Sequence, residues 1–158
     1  GSGAQGYLYH DPCHSPMKLQ EPIKTVKALL GPNVIDAKRC CGESGTLGVT
    51  RPDIATQIRF RKEEELRLNE TALRKLMAPA ASSAGGAVVA PADRGAVKIL
   101  TSCPSCLQGL SRFTGDLKNG LLEADYIVVE MARQILGPDW LPEYVARANA
   151  GGIERVLV

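Results

Sequence analysis

Val97-Lys98-Ile99-Leu100-Thr101-Ser102-Cys103-Pro104-Ser105-Cys106 is the stretch whose reading decides the fold. Residues Val97–Thr101 are mostly apolar and read as a buried strand that ends at Ser102. Cys103-Pro104 then opens a helix, since proline suits a first helical turn, and this helix carries Leu107, Leu110 and Phe113. A strand that runs directly into a helix is the repeating unit of a parallel sheet covered on both faces. At that junction the two cysteines, three residues apart, lie on the first turn. There the unpaired amides favour a thiolate, and two sulfurs can grip one ion.

The same alternation extends in both directions. Gly6–His10 reads as a short buried strand stopped by Asp11-Pro12. A helix is expected from Pro22 to about Leu30, with Ile23, Val26, Leu29 and Leu30 on one face, stopped by Gly31-Pro32. Val34-Ile35 begins a second strand. Thr50-Arg51-Pro52-Asp53 looks like a helix start, with a hydroxyl cap followed by a carboxylate. The helix from there runs into the 73–77 region, with Ile54, Ile58, Leu66, Leu73 and Met77 as an apolar stripe broken near Arg61-Lys62. Asn69 would cap a separate last segment, and Glu63-Glu64-Glu65 reads as a solvated face. Residues 79–95, rich in Ala, Ser, Gly and Pro, read as a surface insertion with a short strand at Val88-Val89. Residues 126–129 read as a fourth strand, 130–136 and 141–148 as helices, and 155–158 as a terminal strand. The expectation is an α/β fold in a single domain over residues 4–158, with a mostly parallel sheet of about four strands flanked by helices. Gly1-Ser2-Gly3 reads as a tag remnant, and the domain as the carboxyl-terminal part of a longer oxidoreductase.

All five cysteines fall in three short segments that form turns. Cys13 lies in His10-Asp11-Pro12-Cys13-His14, and the doublet lies in Arg39-Cys40-Cys41-Gly42-Glu43-Ser44-Gly45. Adjacent side chains diverge on a strand or a helix, so two neighbouring thiols converge only where the backbone turns sharply, as Gly42 and Gly45 permit. Each segment follows the carboxyl end of an expected strand, which is where sites form in open parallel sheets. The three segments are therefore expected to meet at one metal or iron–sulfur site at that edge. Alternatives remain for single residues: a redox dithiol of Cys103 and Cys106, or an inert buried thiol at one position of the doublet. His10 and His14, the only histidines, read as hydrogen-bonding neighbours, with His14 the further donor if the ion is zinc. Arg39 is placed to screen thiolate charge.

Composition narrows the function classes. Aromatic residues are 4% of the 158 and the formal net charge is +2, without the basic stripe and stacking aromatics of a nucleic-acid surface. No apolar run approaches the roughly 20 residues that span a bilayer. No signal peptide is visible, and an odd cysteine count with an adjacent pair makes a poor disulfide framework, so a reducing cytoplasm and thiolate ligation are expected.

The three motifs in this order, His10-Asp11-Pro12-Cys13-His14, Cys40-Cys41-Gly42 and Cys103-Pro104-Ser105-Cys106, resemble the cysteine-rich CCG domain family. That family includes a subunit of heterodisulfide reductase and the iron–sulfur subunits of glycolate, lactate and glycerol-3-phosphate oxidoreductases. The run Cys40 to Thr46 with Arg51-Pro52-Asp53 looks most like the domain in fused FAD-linked oxidases of the D-lactate dehydrogenase or glycolate oxidase type. The resemblance implies Cys13, Cys40, Cys41, Cys103 and Cys106 as ligands of an iron–sulfur cluster, in some members a non-cubane [4Fe–4S] cluster and in others zinc. It implies electron transfer in a flavin-linked 2-hydroxy-acid oxidoreductase, with FAD held elsewhere in the parent. The partners would be a flavin-binding domain or subunit and other iron–sulfur modules, in a cytoplasmic protein peripheral to the inner membrane through its parent. The fragment alone would not turn over substrate. The alternatives are a zinc-holding structural or docking module, and a dithiol oxidoreductase using Cys103 and Cys106. The spacer between Gly42 and Cys103 is longer than the family's usual one, and the excess is the 79–95 insertion.

Overall fold

The computed structural model describes residues 5–43, 45–77, 97–113 and 122–151. The chain forms two compact units, Gly1–Tyr126 and Ile127–Val158.

The first unit is built on four strands, β1 (Gly6–His10), β2 (Val34–Asp36), β3 (Val97–Thr101) and β4 (Glu123–Tyr126). They form one all-parallel sheet in the order β2-β1-β3-β4. The expected α/β class is therefore observed. Strand β1 is buried at all five positions, as a central parallel strand covered on both faces must be. Its register sets Tyr7 opposite Val34 on one side and Lys98 on the other, ending with His10 opposite Thr101. The core gathers Leu8, Ala37, Leu66, Leu73, Val97, Ile99, Leu110, Phe113 and Leu122. Each large apolar side chain among them contributes on the order of 1.5–3 kcal/mol by leaving water.

Helix α1 (Pro22–Leu30) follows β1, with Pro22 in its first turn and Gly31 ending it at φ +96°. Of its expected apolar face only Val26 is fully buried, and Leu29 is exposed. A short helix α2 (Leu47–Thr50), not foreseen from sequence, precedes α3 (Pro52–Met77). The Thr50 hydroxyl bonds back to the Thr46 carbonyl at 3.1 Å rather than capping α3. Helix α3 is continuous, and Asn69 caps nothing: its amide donates to the Asp36 carbonyl at 3.1 Å. Its buried stripe is Ala55, Lys62, Leu66 and Leu73, so Lys62 is a member of the stripe and not its interruption. Ile54 is exposed. Helix α4 (Pro104–Ser111) starts directly behind β3 and buries Cys106, Gly109 and Leu110.

The second unit holds α5 (Ile127–Leu136) and α6 (Trp140–Asn149). The strand expected at 126–129 is displaced: β4 ends at Tyr126, and Ile127-Val128-Val129 begin α5. Here β-branched propensity loses to an amphipathic helix whose first turns hold a Glu130–Arg133 ion pair at 2.6 Å. The expected insertion at 79–95, with Val88-Val89, and the strand at 155–158 lie outside the described residues. No helix among the described residues is long and apolar enough to cross a membrane.

The strand order positions the site. From β1 the chain moves to β2 on one side, then crosses back to β3 on the other. The loops after β1 and β3 therefore diverge, leaving a crevice at the carboxyl ends of the strands, the usual place for a site in such a sheet.

Candidate metal centre

Cys13 follows β1 by three residues, in a loop tied back to the strand. The Tyr9 hydroxyl donates to Asp11 Oδ1 at 3.1 Å, and the Ser15 hydroxyl donates to the same oxygen at 2.8 Å. The Met17 amide then closes on Ser15 Oγ at 3.1 Å. The Cys13 thiol is largely exposed, and its partial desolvation together with the nearby Cys40 and Cys41 sulfurs pushes its pKa up.

The doublet sits on the expected sharp turn. Gly42 adopts φ +78°, a conformation that side chains disfavour, and its amide donates to Cys40 Sγ at 3.3 Å. The turn splits the pair by depth: Cys40 is half-buried and Cys41 is buried. A second close approach holds the loop in place. A Cβ on Gly109 of α4 would overlap Glu43 Cγ and lie 3.3 Å from the Cys41 carbonyl oxygen. Only a residue without a side chain lets α4 come this near the loop. The Glu43 carboxylate also pairs with Arg112, just past α4.

Cys103 occupies the N-cap of α4 in an extended conformation, and Cys106 lies on its first turn. The backbone amide of Cys106, ahead of other polar neighbours, holds the Cys103 thiol below its ordinary pKa. Cys106 is buried, and its thiol is pushed far above the ordinary range by burial and by the neighbouring Cys41 sulfur. Its Sγ lies 3.4 Å from Cys41 Sγ, and all five cysteines are free thiols.

Beside these two sulfurs lies His10, the last residue of β1, 2% exposed. One ring nitrogen of His10 and the sulfurs of Cys41 and Cys106 all lie within 4.8 Å of one another, a group able to hold a metal ion. His10 Nδ1 is 3.0 Å from the Ala37 carbonyl oxygen, whereas Nε2 is buried without a hydrogen-bond partner. Burial first, then the Lys62 charge, keeps the imidazole below its ordinary pKa and hence neutral near pH 7. His14, in contrast, is exposed in the Cys13 loop.

Under His10 lies Lys62, fully buried. Its ammonium donates to the Ala37 carbonyl at 2.8 Å and to Glu65 Oε2 at 2.8 Å, and stands 3.3 Å from His10 Nδ1. Burial lowers its pKa, while Glu65 and the nearby Cys41 oppose that shift. Glu65, expected in a solvated face, is instead the counter-ion of a buried cation and accepts the Arg39 amide at 3.0 Å. Arg39 turns its guanidinium to Glu64 and to the Arg61 carbonyl, both at 2.7 Å. Lys62 is thus the cation set close to Cys41, where the sequence suggested Arg39 as the screening charge.

Sequence reasoning singled out the cysteines and read His10 as a hydrogen-bonding neighbour, as its contact with Ala37 has it, but did not single out Lys62 or Gly109. Signals existed. His10 is a polar residue closing an otherwise fully buried strand, Lys62 falls at a helical spacing of seven and four from Ala55 and Leu66, and Gly109 is a glycine inside a helix.

A family described as a cysteine-rich domain (CCG) matches residues 7–111, and a family described as a domain of unknown function (DUF3400) matches residues 111–158. No curated protein and no solved structure matches the chain. The boundary of the first match encloses the three cysteine segments together with His10, Lys62 and Gly109.

Proposed function

The chain belongs to the cysteine-rich (CCG) domain family, and from that premise we propose that it binds an iron–sulfur cluster and passes electrons within a flavin-linked 2-hydroxy-acid oxidoreductase. Cys13, Cys40, Cys41, Cys103 and Cys106 are its ligands in this reading. The observation that carries it is the 3.4 Å approach of Cys41, in the loop after β2, and Cys106, on the helix after β3, with both thiols free. A core has no need to gather unbridged thiols from distant segments around a glycine turn.

The residues suit such a group. Cys103 is held towards its thiolate by the helix amides, which is the form a metal takes. Cys106 is buried, and burial opposes its ionisation until a cation arrives, so binding and proton release are coupled there. The buried Lys62 ammonium near Cys41 offsets part of the thiolate charge. When bound, an iron–sulfur cluster supplies one-electron transfer at a potential set by its hydrogen bonds, charge and exposure. The chain's own part is to order the sulfurs, to donate the Gly42 amide to Cys40, and to bury one side of the site from water. The flavin, the substrate-oxidising site and further clusters belong to partner domains in this reading, and the chain alone turns over no substrate.

A zinc-holding structural or docking module is the second reading, supported by the nitrogen donor that His10 places beside two sulfurs. Anaerobic purification followed by iron, sulfide and zinc analysis with EPR separates the two. Brown protein with iron, acid-labile sulfide and a cluster signal on redox titration supports electron transfer. Colourless protein with about one zinc per chain that cannot be reconstituted with iron rejects it.

A further inference from the structure

His10 is buried at the carboxyl end of the central strand, and its Nε2 has no hydrogen-bond partner. A buried ring nitrogen left unpaired is uncommon, because nothing replaces the water it has lost. Beside the ring are two free sulfurs, Cys41 and Cys106, and one ring nitrogen and these sulfurs lie within 4.8 Å of one another. Two sulfurs on one tetrahedral zinc stand ~3.8 Å apart, given Zn–S bonds of about 2.3 Å. Cys41 and Cys106 are at 3.4 Å, so little movement separates the observed pair from a coordinating one.

The other face of the ring settles which nitrogen is available. Nδ1 is 3.0 Å from the Ala37 carbonyl, and that carbonyl also accepts from Lys62 at 2.8 Å. With the proton on Nδ1, the ring donates to Ala37 and Nε2 carries a free lone pair. With the proton on Nε2, Nδ1 could accept only from Lys62 at the longer 3.3 Å, and a buried N–H would be left with no acceptor. The first arrangement makes the shorter bond and leaves at Nε2 a lone pair rather than a buried, unpaired N–H. It is also the one that metal-binding histidines adopt, with the second ring nitrogen donating to a carbonyl.

We infer that His10 donates Nε2 to the ion or cluster held by the cysteines, making the centre a mixed nitrogen–sulfur site, with Ala37 and Lys62 fixing the ring. This rests on the metal-binding reading above and extends its donor set beyond cysteine. Lys62 is a positioning residue: held by Glu65, it anchors the carbonyl that orients the imidazole and takes no place on the metal.

The test loads anaerobic, metal-free protein with cobalt(II) and displaces the cobalt by zinc(II), in the wild type and in His10→Ala, His14→Ala and Lys62→Met. His14→Ala is expected to match the wild type. Lys62→Met is expected to lower zinc affinity roughly 10- to 100-fold, the usual effect of losing an outer-shell partner, with the cobalt spectrum unchanged. His10→Ala is expected to lose more than that and to shift the cobalt ligand-field bands. Wild-type affinity and an unchanged spectrum in His10→Ala overturn the inference while leaving cysteine ligation standing. Should that variant not fold, nitrogen-15 NMR of the zinc-loaded wild type decides. A coordinated Nε2 with a slowly exchanging Nδ1 proton supports the inference, and a protonated Nε2 overturns it. Failure of the wild type to take up cobalt, zinc or iron overturns the metal-binding function itself, and the inference with it.

Discussion

His10, Cys41 and Cys106 lie 2–5% exposed, whereas Cys13 is open to solvent and Cys40 and Cys103 are half-buried. The inner and outer halves of the proposed site therefore meet different physics. Outside, the helix amides hold the Cys103 thiol towards its thiolate with little help from an ion. Inside, burial opposes the Cys106 thiolate, and only a cation can offset the cost. The inner half should govern whether anything binds. The outer half should govern exchange, oxidation and access by a partner.

The largest effect follows directly. Cys41→Ser or Cys106→Ser should abolish stoichiometric metal, because each removes a sulfur from the buried group and leaves a hydroxyl in its place. Cys13→Ser should weaken retention but leave a detectable bound fraction. Metal analysis after anaerobic desalting checks this. Equal loss from all three variants would erase the distinction between the halves.

Next in size is a contrast inside one motif. Cys103 is held below its ordinary pKa by amides, and Cys106 three residues on is raised by burial and by Cys41. In metal-free, folded protein near pH 7, limiting iodoacetamide should modify Cys103 well over tenfold faster than Cys106, since the thiolate is the nucleophile. Peptide mass spectrometry reads the ratio directly. Comparable rates would mean that the inner sulfur is not shielded. Bound metal should protect both.

A third difference lies in what clamps the halves together. Gly109→Ala puts a methyl group into the space filled by Glu43 Cγ and against the Cys41 carbonyl. Overpacking of this kind costs roughly 1–3 kcal/mol. Chemical denaturation of the metal-free protein should show a loss in that range, and metal affinity should fall as the doublet is pushed outward. A neutral Gly109→Ala would mean that the loop yields freely and that the α4 contact does not set its position.

How much of this was legible in the sequence depends on which residues carried the signal. The cysteines stood out because each segment follows a strand end, and parallel topology gathers such ends at one edge. The order β2-β1-β3-β4 that opens the crevice was not readable, since strand order arises from pairings between distant segments. Lys62 was misread because a charge in an apolar stripe looks like a break when its partners, the Ala37 carbonyl and the site, are more than twenty residues away. His10 was read as a hydrogen-bonding neighbour, and its Nδ1 does meet the Ala37 carbonyl, but the sequence does not show which nitrogen is left over. At residues 126–129 local β-branched character pointed to a strand, and the helical pattern running on to Leu136 prevailed.

The smallest expected effect concerns pH, and it isolates the inner half without any metal. Burial and Lys62 depress the His10 pKa in the folded protein, while in the unfolded chain the imidazole titrates near its ordinary value of about 6.5. Below that pH the unfolded state binds a proton that the folded state refuses. Stability contributed by the neutral ring is therefore complete above about pH 6.5 and is lost as pH falls towards the folded-state pKa, with a slope of at most about 1.4 kcal/mol per pH unit for one proton. Urea denaturation of metal-free protein between about pH 5 and 8, the range where histidine titrates, measures that slope. His10→Gln should flatten it, whatever its own stability, and the exposed His14→Gln should not. A slope that survives His10→Gln would assign the proton to another group and remove the buried, neutral imidazole on which the inner half depends.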